Sequence, residues 1–86
     1  MDIPVAFGTV LRRLRKEAEL TQETLGFEAE LERTYISMLE LGQRQPTLTT
    51  LYKLSIPLKT SASDMVEMLD VELRRQTRKP TRRSVA

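Results

Sequence analysis

The chain is 86 residues long, enough for one small domain, and it holds neither cysteine nor histidine. Those absences exclude disulfides and zinc-type sites and remove the material for most nucleophile–base pairs, so no enzyme, metal centre or cofactor is expected. The net charge of +2 conceals a division: residues 1–73 carry eight basic against twelve acidic side chains, net −4, while residues 74–86 carry six basic side chains and no acid, net +6. The three glycines form no phosphate-cradling loop, and no small-molecule substrate site is evident. No apolar run approaches the ~20 residues needed to cross a membrane. Met1-Asp2-Ile3-Pro4 lacks the basic-then-apolar order of a secretion signal, so the expected setting is the cytoplasm.

The first predicted helix runs from about Pro4 to Ala18. Phe7, Leu11, Leu14 and Ala18 recur at i, i+4, i+7 and i+11 with Val10 beside them, which turns one apolar stripe toward a core. Asp2 is placed to cap this helix, and Pro4 suits a first turn, where its missing N–H has no partner to lose. Arg12, Arg13, Arg15 and Lys16 fall on the other side, as a solvated face or as phosphate contacts.

Thr21 caps a second helix from Gln22 to Ala29, with Leu25 and Ala29 inward and Leu20 packing from before the cap. Gln22 sits in the first turn, where side chain and free N–H groups can both meet an anion; the plain alternative is a polar first-turn residue. Leu31 marks a corner. A third helix follows from about Arg33 to Leu41, closed by Gly42 in the left-handed conformation. Ile36 and Leu39 face inward, which leaves Arg33, Thr34, Ser37, Met38 and Leu41 outside. Nothing in a stable core requires Arg33-Thr34-Tyr35 at a helix start. Tyr35 reads either as a half-buried ring with a wet hydroxyl or as part of the outer face.

Gln43-Arg44-Gln45-Pro46 is a polar loop, and Thr47 caps a fourth helix whose apolar positions are Leu48, Leu51, Tyr52, Leu54 and Leu58. Pro57 is expected to end or kink it near Ile56, because proline has no backbone donor. A fifth helix begins at Ser61 or Ser63, where Ser61-x-x-Asp64 is similar to a capping box. Met65, Val66, Met68, Leu69 and Leu73 form an apolar face broader than a small bundle needs. Met65, Met68, Leu69 and Leu73 are therefore the expected dimer contact, with plain core as the alternative. Apolar periodicity stops after Leu73. The expected organisation is one all-α domain over residues 4–73, a compact five-helix bundle, with a basic, disordered tail over residues 74–86.

Leu11-Arg12-x-Leu14-Arg15, Thr21-Gln22-Glu23-x-Leu25, Arg33-Thr34-Tyr35-Ile36-Ser37-x-Leu39-Glu40-x-Gly42 and Arg44-x-Pro46-Thr47-Leu48-x-x-Leu51 follow one another at fixed spacing. Together they resemble the phage-repressor-like, or XRE, family of helix-turn-helix DNA-binding proteins, over about Phe7 to Leu69. The Arg-Thr-Tyr-Ile-Ser run also resembles the controller proteins of restriction–modification systems. The resemblance implies a lambda-repressor-like domain in which helices two and three are the helix-turn-helix. It implies base contacts from Arg33, Thr34, Ser37 and Met38, and phosphate contacts from Gln22, Tyr35, Gln43 and Arg44. Arg33 has the planar fork that matches guanine O6 and N7. An ion pair between Arg15 and Glu40 is implied as well, against the alternative of two unrelated surface charges.

The function implied is a dimeric, sequence-specific transcription regulator on a palindromic operator, with double-stranded DNA and a second copy as partners. An antitoxin or adaptor that binds another protein is the alternative, and a third reading has the tail alone binding nucleic acid without specificity. The chain departs from the family pattern where glycine is usual, with Glu19, Glu30 and Lys59. A side chain at a positive φ costs on the order of 1 kcal/mol. Gly26 stands where alanine is usual, and Glu30 and Glu32 near the DNA face oppose phosphate.

Overall fold

A computed structural model describes residues 1–77, and these form five α-helices and no strand: α1 (Ile3–Glu17), α2 (Gln22–Ala29), α3 (Arg33–Glu40), α4 (Leu48–Leu58) and α5 (Ala62–Thr77). Local chemistry sets the starts. The Asp2 carboxylate accepts from the Val5 N–H at 3.1 Å, Thr21 Oγ1 from Thr24 N–H at 3.0 Å, Thr47 Oγ1 from Thr50 N–H at 3.1 Å, and Ser61 Oγ from Asp64 N–H at 3.0 Å. Each bond satisfies a donor that the first helical turn leaves without a partner. Only α3 begins without a side-chain cap.

One core joins all five helices. Phe7, Val10, Leu11 and Leu14 of α1 meet Leu25 and Ala29 of α2, Ile36 and Leu39 of α3, Leu51, Leu54 and Leu58 of α4, and Ala62 and Met65 of α5. Gly8 lets α1 cross the end of α3 at backbone distance, since a Cβ there would lie 2.5 Å from the Glu40 carbonyl oxygen. Gly26 does the same at the corner, where a Cβ would lie 2.7 Å from the Leu31 carbonyl oxygen.

Three connections turn through left-handed residues that are not glycine: Glu19 and Glu30 at φ 60° and Lys59 at φ 54°. The Leu20 N–H bonds the Arg15 carbonyl at 3.1 Å, Leu31 N–H bonds Gly26 at 2.8 Å, and Thr60 N–H bonds Ser55 at 3.1 Å. These bonds close the helix ends and hold the strained residue between them. Gly42, at φ 75°, closes α3 in the same way.

Several expectations change. Ala18 is exposed, because α1 stops at Glu17 and the chain turns there. Pro57 does not end α4, which continues through Leu58. The helix closes just beyond it, with Lys59 N–H on the Ile56 carbonyl and Thr60 N–H on the Ser55 carbonyl, and Leu54 and Leu58 are held by burial on both sides of it. Leu48 and Tyr52, counted as apolar positions of α4, lie in water. Met65 is fully buried in the core, so it presents no surface and is removed from the dimer contact. Met68 and Leu69 pack partly against the same core, and Leu73 is half-buried.

α5 also continues four residues past Leu73, taking residues 74–77 out of the expected tail; the rest of that tail lies outside the described residues. Glu72 accounts for the extension. Its carboxylate is 2% exposed and accepts from Arg13 at 3.3 Å, Arg75 at 3.0 Å and Gln76 at 2.9 Å. This ties the last turns of α5 to α1. The hydrogen bond from Arg75 above all, then Gln76 and Arg13, holds the Glu72 carboxyl below its ordinary value of 4.5 against the upward push of burial.

A carboxylate whose folded pKa is depressed stabilises the fold above its unfolded pKa and loses that contribution as pH falls through the folded value. Urea unfolding followed from pH 7 downward should therefore show stability falling below about pH 4.5, the ordinary value for this group. Glu72→Gln should flatten that limb; an unchanged limb would assign the acid sensitivity elsewhere. Glu19→Gly, which relieves one left-handed side chain, should stabilise the fold by about 0.5–1 kcal/mol, a Tm rise of ~2–8 °C by thermal unfolding.

Candidate nucleic-acid interface

α2 and α3 meet at a tight corner. The inner side of α3 is fixed by Ile36 and Leu39, both wholly buried. Its far end is fixed by charge. Arg15 of α1 reaches Glu40 with both arms of its guanidinium, Nε at 2.5 Å and Nη2 at 3.1 Å, while Nη1 donates to the Leu20 carbonyl at 2.9 Å. The two side chains are 12% and 3% exposed. Gln22 joins the pair, its Nε2 donating to Glu40 Oε1 at 3.0 Å. The first turn of α2, the last turn of α3 and the last turn of α1 thus share one carboxylate. The hydrogen bond that Arg15 donates to Glu40 raises the pKa of Arg15, against the lowering by burial, so the guanidinium stays charged.

On the outer side, Arg33 and Thr34 are exposed, and Ser37 and Met38 are half-buried. Leu41 continues this face and is 62% exposed. Thr34, Ser37, Met38 and Leu41 fall at i, i+3, i+4 and i+7, so they form one stripe along α3. The stripe begins beside the planar cation of Arg33 and becomes more apolar toward Leu41.

The residues expected at phosphate divide into two kinds. Gln43 and Arg44 are exposed in the loop after α3. Gln22 is half-buried, and its bond to Glu40 leaves one amide N–H for any outside acceptor. Tyr35 packs partly on the core, its hydroxyl lies 3.3 Å from the buried Thr50 hydroxyl, and the Arg44 guanidinium stands 5.5 Å from its ring centroid. The ring is thus half-buried, as one reading expected, and its hydroxyl stands at the seam between α3 and α4 beside Thr50. Among the described residues no acidic cluster could hold a metal ion, and no helix is long and apolar enough to cross a membrane.

The helix-turn-helix family model matches residues 11–65. The chain belongs to the XRE-type helix-turn-helix family. Members of that family are DNA-binding transcription regulators and not enzymes. Among its relatives the chain is 38% identical over 72 residues to the control protein C.MunI of Mycoplasma sp, a match covering 83% of this chain and 97% of that one. It is 39% identical to the restriction–modification controller protein C.AhdI of Aeromonas hydrophila, with a TM-score of 0.69 over 72% of this chain and 94% of that one. A third likeness is to the controller protein C.Esp1396I, solved as a tetramer on its natural 35-base-pair operator. Identity there is 32% and the TM-score 0.75, over 85% of this chain and 96% of that one.

Two contributors to the helix-turn-helix escaped the sequence reading. Thr50 shares a hydrogen bond with the Tyr35 hydroxyl, and Gly8 allows α1 to press on α3. A small residue between inward Phe7 and Val10 was the available signal for the second; nothing marked the first. Removing Glu40 leaves the Arg15 guanidinium buried without its partner, so Glu40→Ala should destabilise the fold by ~3–5 kcal/mol in urea unfolding. Replacing both charges at once, Arg15→Met with Glu40→Leu, should cost much less. Equal losses for the single and double variants would show that the pair acts only by packing.

Proposed function

We propose that this chain is a sequence-specific transcription regulator that binds a palindromic operator as a dimer, with α3 in the major groove. The observation that carries this is the contrast along α3. One side is locked by two buried aliphatic residues and a two-armed ion pair, while the other presents Arg33 and Thr34 to solvent. A helix with no structural use for its outer face, held rigidly at its end, is suited to reading base edges.

In this reading Arg33 donates two parallel bonds to guanine O6 and N7. Thr34 and Met38 offer methyl and thioether contact to thymine, and Ser37 bonds a neighbouring base edge. Gln43, Arg44, the Tyr35 hydroxyl and the remaining Gln22 N–H hold phosphates and fix the register. Glu30 and Glu32, exposed at the corner, weaken that grip. Two-fold symmetry places the two α3 helices ~34–36 Å apart, in successive grooves. Control proteins similar in sequence, one of them solved on its operator, support double-stranded DNA as the partner and the cytoplasm as the setting. Regulation then comes from occupancy and dimerisation. The basic tail adds affinity without choosing the sequence.

Selection of bound sites from random duplex DNA tests the reading. A two-fold symmetric consensus is expected; uniform recovery of all sequences would reject it. Arg33→Ala should relax preference at one base pair per half-site, a loss of ~1–3 kcal/mol of discrimination there. Unchanged preference would take Arg33 out of the base-reading set.

A further inference from the structure

Leu41 closes α3 and fills no space inside the domain. Its N–H bonds the Ser37 carbonyl at 3.0 Å, and φ −84° with ψ −2° keeps it in helical register. It therefore completes the outward stripe of Thr34, Ser37 and Met38. Its side chain is 62% exposed, whereas Leu39, two residues earlier, is wholly buried. The chain turns back against α1 at the next residue, where a Cβ on Gly42 would lie 2.8 Å from Val5 Cγ2. A single leucine in water is ordinary. This one ends a line of residues aimed at base edges, where it can neither pair with a phosphate nor hydrogen-bond a base.

We infer that Leu41 reads the C5-methyl group of a pyrimidine in the major groove, once per half-site, at a base pair beyond those met by the first turn of α3. The inference rests on the DNA-binding reading above and deepens it by one base-reading residue. Distance separates Leu41 from the earlier contacts. It lies seven residues past Thr34, ~10 Å along the axis at ~1.5 Å per residue, which is about three base steps of ~3.4 Å. Chemistry then selects the methyl. Base pairs present donors and acceptors in the major groove, and the apolar exception is the C5-methyl of thymine. 5-Methylcytosine carries the same group at the same ring position. Contact between that methyl and the leucine removes apolar surface of both from water. Neighbouring residues leave Leu41 to this task, since Gln43 and Arg44 follow directly, exposed, to hold phosphate at this end of α3.

The test is competition binding by the full chain to the site recovered from random duplex DNA. Thymines are replaced one position at a time by uracil, which lacks only the methyl, and cytosines by 5-methylcytosine, in both half-sites. At one position, uracil should weaken binding about fourfold per half-site, the factor for burying one methyl, or 5-methylcytosine should strengthen it as much. The arm that responds names the base. Leu41→Ala should remove this response while its circular dichroism matches the wild type, and Leu41→Met should keep it. Leu41→Arg should also lose the response, yet bind every sequence more tightly, with a salt dependence steeper by about one phosphate. A response that persists in Leu41→Ala, or no response at any pyrimidine, would overturn the inference. So would an equal loss of affinity for all sites in Leu41→Ala, which would place the side chain against the sugar–phosphate backbone. Selection keeps the two readings apart. A symmetric consensus without a methyl response sinks only the Leu41 assignment. A methyl response that Leu41→Ala abolishes, on an asymmetric consensus, sinks only the palindromic dimer, and recovery of all sequences alike sinks both.

Discussion

Glu40 is the carboxylate on which the arrangement turns. It sits in the last turn of an eight-residue helix, too short to persist in water on its own account. Arg15 reaches it from α1 and Gln22 from α2, so the three elements that aim α3 converge on two oxygen atoms. A point attachment at the far end, with Ile36 and Leu39 as a keel beneath, leaves little freedom to roll. In energy alone such a buried pair is close to neutral relative to a well-packed apolar replacement. Its value lies in direction: a two-armed contact fixes orientation in a way that a greasy one does not.

The left-handed turns bear on the same point. Glu19, Glu30 and Lys59 each occupy a backbone conformation that favours glycine, and each lies between two helices whose mutual angle it sets. The bonds that close these turns are local and backbone-only. Strain at the three positions is therefore tolerated because the helices on either side are anchored in one core, and Glu30 and Lys59 bring charge to places where glycine would bring none. The stability given up is modest in each case, and the geometry of the corner survives.

How far the molecule could be read in advance depended on the range of the cause. Caps at Asp2, Thr21, Thr47 and Ser61 are short-range chemistry and were legible, as were the inward positions of α2 and α3, where apolar spacing has one interpretation. Residues whose placement depends on a distant neighbour were not. Met65 and Val66 look alike in sequence, and only the position of α1 buries the first and leaves the second half in water. Glu72 reads as a surface acid until Arg13, far away in the chain, closes over it. Leu48 and Tyr52 are apolar by residue type, which does not say which side of α4 they occupy, and the core side is filled by Leu51, Leu54 and Leu58. Within the candidate site, the outward set on α3 followed from periodicity. The inward pull on Gln22, and the Thr50 partner of Tyr35, needed the packing of α2 and α4 against α3.

At Gly8 the main chain of α1 rests directly on the main chain of α3, with no side chain between them. Contact of that kind does not depend on which residues line the outer face of α3. The supporting scaffold and the reading surface are consequently separable: exchanging Thr34 or Met38 alters what is presented to a groove without disturbing what holds it there. A molecule assembled in this way can be retargeted by a few outward substitutions, and its core need not be redesigned to follow them.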